Sequence, residues 1–148
     1  MPRKAVAIAI GAALAALISS SGMAQTEKIN VYVELASTDK VGRELGRLLQ
    51  ARIRSSPGMA LVANAGDSVV QLHLATLDPG LPQQGDQTAY SAVWTFGMGR
   101  MNQYYSSSRV GLCGARRLSA CAADLTSQTA KEASAMRRAA ATVSEGAK

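Results

Sequence analysis

Two cysteines, one histidine and ten carboxylates carry most of the chemical range of this 148-residue chain. Cys113 and Cys121 stand in C-x7-C spacing. That is not the C-x-x-C of a thioredoxin-like redox site, and a zinc site would need four ligands where His73 is the only other soft one. The pair reads as a structural disulfide. Closing so short a loop stabilises the fold by about 2.5 kcal/mol on the chain-entropy model. The segment Cys113-Gly114-Ala115-Arg116-Arg117 can turn the chain from an extended stretch into a helix. The bridge would then pin the first turns of that helix to the end of the strand.

Any Ser-His-Asp or Cys-His site would have to use His73. Its strand carries its apolar residues on the opposite face, so His73 is expected at the surface. No serine lies in a G-x-S-x-G elbow. The carboxylates from Glu27 to Glu145 fall on expected turns, helix starts and exposed faces. Nothing marks a buried pair of the kind that cleaves glycosidic bonds. Gly97-Met98-Gly99 lacks the third glycine and the following helix of a nucleotide loop. The chemistry therefore points away from an enzyme, and no catalytic residue, cofactor or metal is assigned.

The charged side chains suggest contact instead. Arg43, Arg47 and Arg54, with Arg52 beside them, can form a basic ridge, and Arg116-Arg117 and Arg137-Arg138 add two clusters. The formal net charge is +6, yet aromatics are only 4% of the chain, too few to interleave with a nucleic-acid groove. These clusters read as solvated helix faces or as contacts to an acidic partner. Five of the six aromatics lie between Tyr90 and Tyr105. Trp94 and Phe96 share a strand face and are expected in the core. Tyr104-Tyr105 put one ring on each face, so one is expected outside.

The elements that must position these groups follow from periodicity. Ile29 to Ala36 alternates with period two and reads as a strand. Val41, Leu45, Leu48, Leu49 and Ile53 form one stripe of a helix from Asp39 to Ser55, stopped by Pro57-Gly58. Met59 to Ala63, Val69 to Leu77, Thr88 to Phe96 and Tyr104 to Cys113 read as strands, the third of these with Tyr90, Ala92, Trp94 and Phe96 on one face. In the second, Val70, Leu72 and Leu74 are expected inside, and Gln71 and His73 outside. Arg117 to Val143 reads as a second helix, with a stripe from Leu118 through Ala122, Leu125, Thr129, Ala133, Met136 and Ala140 to Val143. Ser144 to Lys148 reads as a frayed tail. The order β-α-β-β-β-β-α predicts an α+β two-layer sandwich: a mixed or antiparallel sheet of about five strands with both helices on one face.

The first 24 residues read as an address. Arg3 and Lys4 precede an apolar run from Ala5 to Ile18, and Gly22-Met23-Ala24 supplies the small residues of a signal-peptidase site. An apolar run of that length spans only about 21 Å as a helix, short of a bilayer core of about 30 Å. Cleavage after Ala24 leaves one domain of 124 residues, with 14 basic against 10 acidic side chains and no cysteine near the new terminus to carry lipid. Such a chain is expected in the periplasm or outside the cell, where its cysteines would be oxidised.

Val31-Tyr32-Val33 running into the helix at Asp39, then Met59-Ala60-Leu61-Val62 and Val69-Val70-Gln71-Leu72, carry a resemblance. In strand-helix-strand-strand order this stretch is similar to the amino-terminal domain of the Tol–Pal translocation protein TolB, the curli secretion lipoprotein CsgG and the peptidoglycan-synthase activator LpoB. The chain has neither the propeller that follows in TolB nor the lipid-bearing cysteine of the other two. The string Ala89-Tyr90-Ser91-Ala92-Val93-Trp94-Thr95, followed by Cys113 and Cys121, looks like that of uncharacterised secreted bacterial proteins. The resemblance implies an envelope interaction module and transfers no site residue.

The expectation is a non-enzymatic periplasmic or secreted domain that binds an envelope protein or anionic envelope polymer, not nucleic acid, with no membrane span after cleavage. The alternatives are a small hydrolase of an envelope polymer and a homo-oligomeric structural subunit. The expected contacts are the loop Asp78, Pro79, Gly80, Leu81, Pro82, Gln83, Gln84, Gly85 and Asp86, the ridge Arg43, Arg47 and Arg54, and an exposed sheet edge able to recruit a strand.

Overall fold

A computed structural model describes residues 27–80, 85–97 and 103–146, with side chains through residue 142. The leader at 1–24 and the loop residues Leu81, Pro82, Gln83 and Gln84 lie outside the described residues. The chain runs β1 (Ile29–Ser37), α1 (Lys40–Ser55), β2 (Met59–Leu61), β3 (Val70–Leu77), β4 (Gln87–Gly97), β5 (Gln103–Gly114) and α2 (Leu118–Gly146). The five strands form one mixed sheet in the order β2-β1-β3-β4-β5. β1 pairs in parallel with β2 and β3, while β3, β4 and β5 form an antiparallel meander. This is the α+β architecture anticipated from the pattern.

One face of the sheet carries both helices. Val31 and Val33 of β1, Val70, Leu72 and Leu74 of β3, and Ala92 and Trp94 of β4 point to that face and are buried. α1 lays Val41, Leu45, Leu49 and Ile53 against them, one residue per turn. It begins where the Asp39 Oδ1 accepts the Gly42 N–H at 2.7 Å. Gly42 and Gly46 let the helix lie close to the sheet. A Cβ on Gly46 would fall 2.5 Å from Leu35 Cδ2, and one on Gly42 would meet the Thr76 hydroxyl.

α2 packs on the same face beside α1. Ala122, Leu125, Thr129 and Ala133 are its buried residues. The Trp94 indole N–H donates to Thr129 Oγ1 at 2.9 Å in full burial, and Thr129 Oγ1 donates in turn to Leu125 O at 2.8 Å. Arg52 Nη2 reaches Ser119 Oγ at 2.9 Å and ties the helices together at the surface. Cys113 and Cys121 are bonded, with 6.3 Å between their Cα atoms, so the end of β5 is joined to the first turns of α2.

Three expectations are corrected. Gln71 is not outside: it is 5% exposed. The β2–β3 connection crosses β1 through a short 3-10 turn at Ala65–Asp67, and Gln71 Nε2 donates to Ala65 O there at 3.1 Å. Ala140 is exposed, along with its neighbours Arg138, Ala139, Ala141 and Thr142. A helix of 29 residues is about 43 Å long, and even the longest strand, the 12-residue β5, reaches only about 40 Å, so the helix outruns the sheet. Helical backbone continues through Gly146, into the stretch read as a frayed tail.

Thr129→Val is expected to destabilise the fold by about 1–3 kcal/mol in urea denaturation, because the buried indole N–H loses its acceptor. Thr129→Ser should restore most of the loss. The double variant Cys113→Ser with Cys121→Ser should lose about 2.5 kcal/mol, matched by the wild type under reductant.

Candidate functional site

Because both helices lie on one face, the other face of the sheet is covered, among the described residues, only by the crossover at Ala65–Asp67. Three polar side chains form a row across it. Glu34 on β1 stands directly opposite His73 on β3, and Glu34 Oε2 lies 2.5 Å from His73 Nδ1. His73 Nε2 lies 3.3 Å from Thr95 Oγ1 on β4. The lone histidine is thus held between a carboxylate and a hydroxyl. Acid, imidazole and hydroxyl stand in the order of a proton relay. The hydroxyl is a hindered secondary one, and the N–H groups of these central strands belong to the ladders. The row is a polar contact across three strands.

Beyond this row the uncovered face turns apolar toward β5. Leu77, Ala89 and Leu112 are level with one another across β3, β4 and β5, and Ala75, Ser91 and Val110 form the next level. Val110 is 76% exposed, Tyr105 65% and Leu112 61%. Tyr105 joins Val110 on this face because of a bulge. Trp94 pairs with Ser107 while Thr95 pairs with Tyr105, leaving Ser106 as an extra residue in β5. Tyr104 and Tyr105 are both more than half exposed, although only one was expected to be. Tyr104 stacks on Phe96 with ring centroids 5.6 Å apart.

β5 is an edge strand of 12 residues, against three in the opposite edge, β2. The Ala115 N–H donates to Asp86 O at 2.7 Å. In an antiparallel ladder the peptide groups alternate in direction, so Arg109, Gly111 and Cys113 turn theirs toward β4. Ser108, Val110 and Leu112 turn theirs outward, where no strand meets them among the described residues.

The bulge also builds a second contact on the helix side. Ser106 and Ser107 both present hydroxyls to Glu132 of α2, at 2.5 and 2.7 Å, and Gln128 Nε2 donates to the same carboxylate at 2.7 Å. Partial burial pushes the Glu132 carboxyl upward, but the three donors outweigh it, and its pKa falls below the usual carboxylate range.

The anticipated contact residues are spread over the molecule. Asp78 Oδ1 accepts the Gly80 N–H at 2.9 Å and its Oδ2 accepts the Gly85 N–H at 3.2 Å, drawing the two ends of that loop together. Asp86 lines a hollow of about 650 Å³ with Gln87, Gly114 and Ala115 and with Arg116 and Arg117, so the loop adjoins the end of β5. Arg43, Arg47 and Arg54 are exposed on α1. Arg47 donates from Nε and Nη2 to the two Glu44 carboxylate oxygens, at 2.8 and 2.5 Å, and this hydrogen bonding holds the Glu44 carboxyl below the usual range. The ridge is thus partly neutralised and is separate from the β5 margin. Sequence reasoning missed the Glu34–His73–Thr95 row and the exposure of Val110 and Leu112, although the alternation of Val110 and Leu112 was there to read.

Glu132 has a lowered pKa in the fold, so it contributes stability above the ordinary carboxylate value. That contribution is lost as pH falls through its lowered value. Between about pH 6 and about pH 3, the wild type should therefore lose stability more steeply than Glu132→Gln in urea titrations.

No family model matches the chain, and no curated protein matches it. Among solved structures it is similar to hypothetical protein CT253 of Chlamydia trachomatis, with 10% identity and a TM-score of 0.39 over 58% of this chain and 72% of that one. It is also similar to protein XCC0632 of Xanthomonas campestris, of the family described as DUF330, with 11% identity and a TM-score of 0.47 over 71% of this chain and 82% of that one. Neither description carries an activity.

Proposed function

We propose that this chain is a non-enzymatic, exported binding domain that docks another envelope component along the β5 margin of its sheet. The observation that carries the reading is the edge itself: a 12-residue strand whose outward peptide groups sit beside exposed Tyr105, Val110 and Leu112. An edge of this kind is a template for strand addition unless charge, proline or cover blunts it. Between Ser107 and Gly114 the only charged residue is Arg109, and there is no proline.

Export is part of the proposal. The basic start, the short apolar run and the small residues before Gln25 support a cleaved leader. The Cys113–Cys121 bridge fits an oxidising compartment. Among the described residues no helix is long and apolar enough to cross a membrane. The pattern resemblance to TolB, CsgG and LpoB agrees with an envelope module.

Photo-cross-linking in the producing cell tests the reading. A photoreactive residue at Leu112 should give one adduct of reproducible mass, and the same residue at Arg54 should not. Equal labelling from both positions, or none from Leu112, would overturn it.

A further inference from the structure

We infer that the β5 margin takes an extended acidic peptide whose acidic residues alternate with apolar ones. This rests on the docking reading above and names the chemistry of the partner. Two stripes run side by side along the margin. On the uncovered face, Val110 and Leu112 form an apolar stripe that runs on to Tyr105 past Ser108, whose Oγ lies 3.1 Å from the Tyr105 hydroxyl. On the helix side the stripe is cationic. Arg109 and Lys131 line one hollow of about 290 Å³ between β5 and α2. Lys131 also lines a hollow of about 310 Å³ whose residues all belong to α2. Arg116 and Arg117 stand where β5 ends.

The cations at this margin, Arg109, Lys131, Arg116 and Arg117, outnumber the carboxylates beside it, Asp86, Asp124 and Glu132. Glu132 accepts from the neutral donors Ser106, Ser107 and Gln128 and keeps its negative charge. Asp86 lies at the far end beside Arg116 and Arg117. Among the described residues no carboxylate forms a salt bridge with Arg109, Lys131 or Arg138.

The alternation of a strand fits both stripes at once. Successive side chains of an added strand point to opposite faces, while its backbone meets the outward peptide groups of Ser108, Val110 and Leu112. Apolar residues would then cover Val110 and Leu112, and every second residue would face Arg109 and Lys131. Opposite charges there favour an acidic residue. A second copy of this chain would instead bring its own Arg109 and Lys131 to the same side of the joined sheet. An anionic polymer would match the charge but not the ladder.

Fluorescence anisotropy on the full, oxidised chain tests this with four probes: an alternating Glu-Val peptide, an alternating Lys-Val peptide, the Glu-Val peptide with alternate amides N-methylated, and polyphosphate. The Glu-Val peptide should bind about tenfold or more tighter than the Lys-Val peptide, and N-methylation should abolish binding. The double variant Arg109→Glu with Lys131→Glu should reverse the preference, with circular dichroism confirming the fold. Val110→Pro, which removes an outward N–H and no ladder bond, should weaken binding of the Glu-Val peptide.

Equal binding of both unmethylated peptides, lost in Val110→Pro, would leave the docking edge standing and overturn the acidic partner. Binding of polyphosphate and of the N-methylated peptide as tight as that of the Glu-Val peptide would overturn the strand. A dimer in sedimentation with no peptide bound would make the second copy the occupant and overturn the inference. A monomer that binds no peptide would also overturn it, and the Leu112 cross-link would then judge the docking edge by itself.

Discussion

A single buried N–H decides where the second helix can lie. The Trp94 indole has no access to water, and a buried donor without an acceptor costs more than one hydrogen bond is worth. Thr129 is the acceptor, so α2 must cross β4 with that turn directly above the ring. The neighbouring buried residues, Ala122, Leu125 and Ala133, then fall on the sheet in the order a helix imposes. Once α2 is fixed there beside α1, the layer is full on one side and the opposite face of the sheet is left largely bare.

The bare face has two characters. Near β1 it is polar and self-satisfied, with Glu34, His73 and Thr95 engaged with one another. Toward β5 it is mainly apolar, with the Tyr105 and Ser108 hydroxyls bonded to each other, and there it meets an edge with outward peptide groups. The bulge at Ser106 links the two sides of this margin. It turns Tyr105 to the bare face and gives α2 two serine hydroxyls to hold through Glu132. One extra residue thus shapes both the exposed stripe and the attachment of the helix behind it.

Much of this architecture was legible because it is periodic. The spacing of Val41, Leu45, Leu49 and Ile53 marked α1, and the alternation around Trp94 marked β4. What was not legible depends on register or on distant cover. Gln71 looks like an outside residue until the Ala65–Asp67 turn is laid over it. His73 looks solitary until the pairing of β1 with β3 brings Glu34 opposite. Ala140 continues a helical stripe faithfully, but helical period carries no information about where a sheet ends. The bulge is hidden in a run of three serines, Ser106 to Ser108, in which no side chain announces the extra residue.

The bridge between Cys113 and Cys121 has a mechanical consequence. Tension applied to the outermost strand would ordinarily unzip it from β4, one pair of hydrogen bonds at a time. Here the carboxyl-terminal end of that strand is stapled to α2. From there the load passes along the helix to the anchored indole in the middle of the molecule. Tension at that end is therefore shared between the β4–β5 ladder and the helix.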